Sequence, residues 1–396
     1  MNETVEVALK SHPHQYQINI GNDLLQNCGS WAKSCLSNTT KKIVIISNPK
    51  VFYLYGEKVV ESLNNEGFEV LVHKIGDGEK YKSLGTLEKT LRFFSQNQLK
   101  RSDAVVALGG GVVGDLAGFA AAVYLRGIAF LQIPTTFLSM IDSSVGGKTG
   151  VNSDFGKNLI GAFHQPNGVL IDVETLKTLP RRELTAGFCE AVKQGAIASQ
   201  NLFDQTADFL RIYSANDSKL DFSQLQSVEK IQKLIAAQVT FKAEIVKADE
   251  RENLDKMNNH SRKILNFGHT VGHALEKITD YKYFKHGEAV GLGVLVAAEI
   301  SNKVANFAQL ELNLLNDVVL LTGNLPNCQN IETRKIVEAL AFDKKNVGNS
   351  LHWILLESIG KPKIVDGKDI SPMITGCIAT FASSSKCRKN GSGIRK

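Results

Sequence analysis

The chain is 396 residues long, 43% hydrophobic and 22% charged, which excludes a membrane or wholly disordered class and leaves material for two or three domains with a sizeable core. The formal net charge of +6 is a poor nucleic-acid signal, because Lys386, Arg388, Lys389, Arg395 and Lys396 gather five of those charges in the acid-free segment Ser383–Lys396. No run approaches the ~18 consecutive apolar residues of a membrane span, and the N-terminus lacks a basic stretch followed by an apolar one, so a cytoplasmic protein is expected.

In chain order, VEVAL (5–9) and YQINI (16–20) read as strands, and KIVIIS (42–47) is the continuous apolar run of a buried parallel strand. A helical pattern from 51 to 65, the run VLVHKI (70–75), a second helix from 84 to 97 and DAVVAL (103–108) complete two βαβ units. IAFLQI (128–133) and GVLID (168–172) extend the strand set. After Pro180 the periodicity becomes helical over 181–213, 223–251, 269–278, 287–304, 307–321 and 331–341, and LHWILL (351–356) with KPKIV (361–365) reads as a late hairpin. The expected architecture is an α/β N-terminal domain with a parallel sheet (1–179), a mainly α-helical C-terminal domain (180–370) and a basic tail (371–396) too polar to order itself. The cysteines Cys28, Cys35, Cys189, Cys328, Cys377 and Cys387 show no CxxC spacing, which argues for reduced thiols over a disulfide framework or a thiolate zinc site.

Two segments carry glycine-rich chemistry. Gly109, Gly111 and Gly114 fit GxGxxG where a strand opens into a helix, a place where backbone amides can meet a pyrophosphate. By itself the motif is weak, since no acidic residue follows at the end of a next strand about 20 positions on; a tight strand-to-helix turn is the competing reading. The second segment, IDSSVGGKTG (141–150), resembles a phosphate loop but has Asp142 where GxxxxGK[ST] needs glycine. Lys148, Lys157 and Asn158 remain there as possible phosphate contacts, against a reading as ordinary surface groups.

The densest feature is RKILNFGHTVGHALEKITDYKYFKHGE (262–288). His269 and His273 are four apart and share a helix face, and His286 is expected from the following loop. Three histidines gathered this way can hold a catalytic zinc with an open position, whereas the alternative is exposed imidazoles on an amphipathic helix.

GGGVVGDLAGFAAAVYLRG, IPTTFLSMIDSSVGGKTGVN, GKNLIGAFHQP, GFCEAVKQGAI, KADERE, LNFGHTVGHALE and HGEAV, in that order, resemble the 3-dehydroquinate synthase family. The resemblance implies an NAD-binding α/β domain, a helical metal domain, an active site between them, a homodimer, and no nucleic-acid or membrane partner. It implies conversion of 3-deoxy-D-arabino-heptulosonate 7-phosphate to 3-dehydroquinate and phosphate, with zinc or cobalt and an NAD+ that takes a hydride and returns it. Carried over position by position, it implies Glu190, His269 and His286 as metal ligands, with His273 a catalytic or phosphate-contacting residue instead. Asp142, Lys148, Lys157, Asn158, Lys193, Lys242, Arg262 and Asn266 fall on substrate positions, Glu252 on a catalytic acid and Arg126 on a residue reaching the neighbouring subunit's site. Lys344, in the DKK that also contains Lys345, is the expected last substrate lysine. On the nucleotide side stand Asn48, Glu79, Lys82, Gly110, Gly111, Val112, Asp115, Thr135, Thr136 and Thr178.

The sequence departs from the family at Asn48, where many members have aspartate, and at the longer connection NLDKMNNHS (253–261), whose His260 is expected to be exposed. Two alternatives stay in view. One is a related cyclase making a cyclitol precursor, whose relatives generally change SSVGGKTG and the segment Arg262 to His269. The other is a metal-dependent NAD alcohol or glycerol dehydrogenase, which needs no lysine-rich phosphate site.

Overall fold

The strand-forming runs of the first half pair side by side. The computed structural model of the chain describes residues 14–213, 225–328, 331–346, 352–368, 373 and 375–378. Strands β1 (Gln17–Gly21), β2 (Lys42–Ser47), β3 (Glu69–Lys74), β4 (Ala104–Gly109), β5 (Ala129–Pro134) and β8 (Gly168–Asp172) form one sheet in the order β1-β8-β5-β4-β2-β3, every pairing parallel. All six residues of β4 are buried, as expected of a strand with helices on both faces. Val44, Ile46, Val105 and Ala107 pack against α4 (Leu84–Gln96) and α5 (Gly111–Val123) on one face. Ile43, Ile45, Val106 and Leu108 pack against α1 (Cys28–Cys35) and α3 (Glu57–Asn65) on the other.

Between β2 and α3 the chain runs through α2 (Pro49–Val51) and a π turn, Phe52–Gly56. The side chain of Asn48 starts this helix by accepting from Val51 N at 2.8 Å. Chain order explains where a ligand can enter. From β2 the chain moves to β3 at one edge, then returns past β2 to place β4 on its other side. The crevice beyond the carboxyl ends of β2 and β4 is therefore the point of reversal at which open α/β sheets bind ligands.

From Arg181 the chain is mainly helical: α6 (Arg181–Ala198), α7 (Gln200–Tyr213), α8 (Leu225–Ala248), α9 (His269–Ile278), α10 (His286–Val304), α11 (Gln309–Leu321) and α12 (Thr333–Asn346), closed by the antiparallel pair β9 (His352–Ser358) and β10 (Lys361–Asp366). Its core is continuous with residues of the first half, including Phe137, Met140, Ile141, Val169 and Ile171. No described helix is long and apolar enough to cross a membrane.

Several expectations need correction. The helical stretch 181–213 is two helices, because Ser199 leaves the helical backbone between α6 and α7. The segment 141–150, already set apart from a true phosphate loop by Asp142, continues into an antiparallel hairpin that the strand set above lacks, β6 (Lys148–Ser153) with β7 (Gly156–Phe163). His286 is the first residue of α10 and does not come from a loop. Residues 375–378 of the expected tail are helical, and Cys377 and Ile378, both apolar, are buried in the core. The expected strand at 5–9, the rest of the tail with Cys387, and the side chains of Lys344 and Lys345 lie outside the described residues.

Candidate active site

Three helices bring the histidine cluster together. Glu190 comes from the middle of α6, His269 from the first position of α9 and His286 from the first position of α10. Close backbone approach is what lets them converge: a Cβ on Gly287 would stand 1.9 Å from the carbonyl oxygen of Ala186, and one on Gly293 would stand 2.0 Å from that of Gly268. Ligand nitrogens of His269, His273 and His286 lie within 4.8 Å of one another, and Glu190 Oε1 lies 3.7 Å from Nε2 of His269 and 3.6 Å from Nε2 of His286. Both Glu190 oxygens are buried and accept no hydrogen bond, although Lys193 Nζ stands 2.7 Å away at ion-pair distance. Burial, helped by Lys193, holds His269 well below the ordinary imidazole value and therefore neutral, the state a metal ligand requires. A buried carboxylate with one orphaned oxygen, Oε1, facing two imidazoles fits a divalent cation. His273, the most exposed of the three histidines, lies on the open side of the cluster.

A second carboxylate stands behind His286. Glu276 Oε2 accepts from His286 Nδ1 at 3.1 Å, and Oε1 accepts from Lys157 Nζ at 2.9 Å. Burial works to raise the Glu276 carboxyl, but the bond from His286 and the charge of Lys157 outweigh it and hold the carboxyl down at about 2. Glu276 was not among the expected site residues, although its place seven residues after His269 on the same helix face was readable from the spacing.

The remaining cations ring this cluster. Lys242 of α8 is buried and reaches Asp142 Oδ1 at 2.7 Å, while Gln194 of α6 donates to the same oxygen at 3.4 Å. Burial alone would raise Asp142; Lys242 and Lys193 together overcome it and keep the carboxylate ionised. Lys148 of β6 is ion-paired with Glu252. Arg262, buried in a 3₁₀ turn (Arg262–Asn266), donates to the carbonyls of Gly146 at 3.0 Å and Glu250 at 2.8 Å, and its Nε is buried without an acceptor. Asp249 ties the loop that carries both groups, accepting from Asn253 N and Arg262 N at 2.8 Å each. The longer connection thus folds outward from a closed base, and His260 is exposed on it.

On the sheet side, Asn48 follows β2, and Gly110, Gly111 and Val112 open α5 after β4, so these four residues lie at the crevice beyond the carboxyl ends of β2 and β4. Asn48 donates to Asp77 Oδ1 at 3.1 Å, which puts a carboxylate beside this amide. Lys82 is buried between Asp115 and the side-chain oxygen of Asn158, the latter at 2.5 Å. Asn158 therefore belongs to the Lys82 cluster, whereas its neighbour Lys157 turns to Glu276. Glu79 accepts from Asn152 at 2.8 Å. Thr135 N bonds to Gly109 O at 3.0 Å and Thr136 caps the turn after β5 through Ser139, placing both beside the glycine turn. Thr178 is hydrogen-bonded to Tyr55. Two expected residues are not drawn into contact with these clusters: Arg126, exposed with a left-handed backbone (φ 65°) after α5, and Asn266, exposed at the end of its turn.

Fold and site together describe an α/β protein with a nucleotide crevice and a carboxylate–imidazole cation site carried on a helical half. Solved structures of this architecture include 2-epi-5-epi-valiolone synthase from Streptomyces hygroscopicus with NAD+ and Zn2+ bound (TM-score 0.81, 25% identity, 95% of this chain and 99% of that one). They also include 2-deoxy-scyllo-inosose synthase complexed with carbaglucose-6-phosphate, NAD+ and Co2+ (TM-score 0.76, 26% identity, 91% and 95%). Glycerol dehydrogenase from Schizosaccharomyces pombe shares the fold alone (TM-score 0.62, 17% identity, 93% and 89%). The family models for the 3-dehydroquinate synthase N-terminal and C-terminal regions match residues 72–186 and 187–346. The 3-dehydroquinate synthase of Crocosphaera subtropica is 41% identical over 93% of this chain and 96% of that protein, and the one from Thermodesulfovibrio yellowstonii is 40% identical over 85% and 90%. The chain belongs to the 3-dehydroquinate synthase family, and it is an enzyme of that type.

Proposed function

We propose that this chain converts 3-deoxy-D-arabino-heptulosonate 7-phosphate to 3-dehydroquinate and phosphate, with Glu190, His269 and His286 holding one zinc or cobalt ion and the β2/β4 crevice holding NAD+. The observation that carries the metal site is Glu190: its buried Oε1 accepts no hydrogen bond and lies 3.7 and 3.6 Å from the Nε2 atoms of His269 and His286, while Oε2 is ion-paired with Lys193. When bound, a cation held by Glu190, His269 and His286 would supply Lewis-acid stabilisation of an alkoxide at the carbon to be oxidised, and NAD+ in the crevice would supply a reversible hydride acceptor.

The chain's own groups do the rest. The substrate carries a carboxylate and a phosphate ester, and Lys148, Lys157, Lys193, Lys242 and Arg262 supply the cations to bind them. Burial pushes the Lys242 amine down, and the Asp142 carboxylate beside it opposes that shift. His273, on the open side of the metal cluster, moves a proton or orients the leaving phosphate. Glu252, already paired with Lys148, is placed to exchange a proton with the same substrate region. Asn158, Asn266 and Lys344 complete the substrate contacts, and Asn48, Glu79, Lys82, Gly110, Gly111, Val112, Asp115, Thr135, Thr136 and Thr178 the nucleotide contacts. Arg126, exposed and without an ion pair among the described residues, is assigned to the neighbouring subunit's site of a homodimer. The seam between the nucleotide and metal halves is placed at Leu179, and the enzyme in the cytoplasm.

Phosphate release from the heptulosonate phosphate tests this reading. Turnover should vanish with a strong chelator and return with zinc or cobalt, and product should exceed the NAD+ supplied with no net NADH absorbance. Stoichiometric NADH formation would overturn it in favour of a dehydrogenase.

A further inference from the structure

Glu276 is a buried charge that the chemistry above does not use. It is 2% exposed, on the face of α9 that also carries His269 and His273. A carboxylate taken out of water needs partners for both oxygens, and these two oxygens have taken different ones. The bond at 3.1 Å to His286 Nδ1 fixes the imidazole as the Nδ1–H tautomer. Nε2 then carries the lone pair, and Nε2 is the nitrogen 3.6 Å from Glu190. The bond at 2.9 Å to Lys157 Nζ crosses from the helical half to the hairpin beside the sheet. There the same ammonium lies 4.4 Å above the Tyr281 ring and 3.9 Å from Glu79, a residue assigned to the nucleotide.

We propose that Glu276 is a positioning residue that sets the metal ligand His286 and the substrate-side ammonium of Lys157 with one carboxylate, so that the metal site and the anion site are assembled together. Both partners are donors, so both require an acceptor. A glutamine offers one acceptor oxygen and one NH2 donor group, and can satisfy one partner only by turning a donor towards the other. The arrangement also joins the two halves of the protein at the cleft, since neither partner of Glu276 lies on α9 itself.

The inference rests on the metal-ligand assignment above, and its test separates the two. Zinc dissociation constants are measured by competition with a chromophoric chelator, and visible spectra are recorded for the cobalt-loaded protein, alongside KM for the heptulosonate phosphate. Glu276→Gln should bind zinc about 10–100-fold more weakly than wild type, shift the cobalt bands and raise KM roughly tenfold. Lys157→Ala should raise KM while leaving zinc affinity within about threefold. Glu276→Asp keeps the charge one methylene short and should fall between wild type and the glutamine variant, and it decides the matter if the glutamine variant does not fold. Wild-type zinc affinity, cobalt spectrum and KM in these variants would overturn the proposal, and a change in KM alone would overturn the coupling. If His269→Ala held zinc as tightly as wild type, the ligand assignment itself would fall.

Discussion

The two halves of the cleft are built on different principles. On the sheet side, the β4–α5 turn presents main-chain groups, and the residues Gly110, Gly111 and Val112 matter through where they allow the backbone to run. On the helical side, Glu190, Lys193, Glu276 and Arg262 are charged side chains buried to within a few per cent of complete; Glu190 is paired with Lys193 and Glu276 with Lys157, and Arg262 is held by the carbonyls of Gly146 and Glu250. A backbone site tolerates most side-chain changes and fails by steric intrusion; a side-chain site fails one group at a time while the fold survives.

His273→Ala is the strongest way to sharpen this contrast. Because Glu190, His269 and His286 can enclose a cation without it, the variant should retain its metal and its thermal stability yet lose about 10²–10⁴-fold in turnover, the range for a group that transfers a proton or orients a leaving group. Metal content by elemental analysis, measured with kcat on the same preparation, decides this. A variant depleted of metal would make His273 a ligand, as the spacing within α9 alone would suggest.

The same contrast explains what was readable in advance. The sheet strands announce themselves as apolar runs of period-independent burial, and GVLID at 168–172 is β8 residue for residue. The glycine turn is contiguous, so its place after β4 was also legible. The helical site is assembled from α6, α9 and α10, and periodicity cannot say that Glu190, 79 positions before His269 in the chain, points at it; only the family resemblance supplied that residue. Glu276 was missed although its spacing put it on the right face, because a glutamate in an amphipathic helix ordinarily points to water. The β6–β7 hairpin was missed because the outward residues Leu159 and Phe163 of β7 are apolar and exposed, which erases the alternation that marks a strand.

A smaller effect is expected on the sheet side, and it pits backbone against side chain directly. A Cβ on Gly110 would stand 2.9 Å from Thr136 Cγ2, too close without movement of the threonine. Gly110→Ala should therefore weaken NAD+ binding by about tenfold, consistent with about 1–2 kcal/mol of local overpacking. Val112→Ala keeps the same amide and should leave the NAD+ dissociation constant within about threefold. Titration by isothermal calorimetry compares the two. If the valine variant is as damaged as the glycine variant, the nucleotide side is not a backbone site.

The mildest test concerns Asp249, where the two principles meet, because a buried carboxylate there organises main chain. It accepts from Asn253 N and Arg262 N, closing the base of the connection that carries Glu252 and Arg262. Burial tends to raise its carboxyl, but these two bonds and one from Ser261 outweigh burial and hold it below the ordinary value. A carboxyl depressed in the folded state contributes stability that is present above the unfolded value near 3.9 and is lost as the pH falls through the folded one. Asp249→Asn, which keeps one acceptor oxygen and removes the charge, should cost about 1 kcal/mol at neutral pH. That difference should stay level at pH values well above the unfolded value near 3.9 and close only as the pH falls through the lower folded one, where wild type and variant both become uncharged. Urea unfolding across this range measures it. A cost that persists unchanged in acid would mean that the lost stability comes from shape and not from the charge that the two amides hold in place.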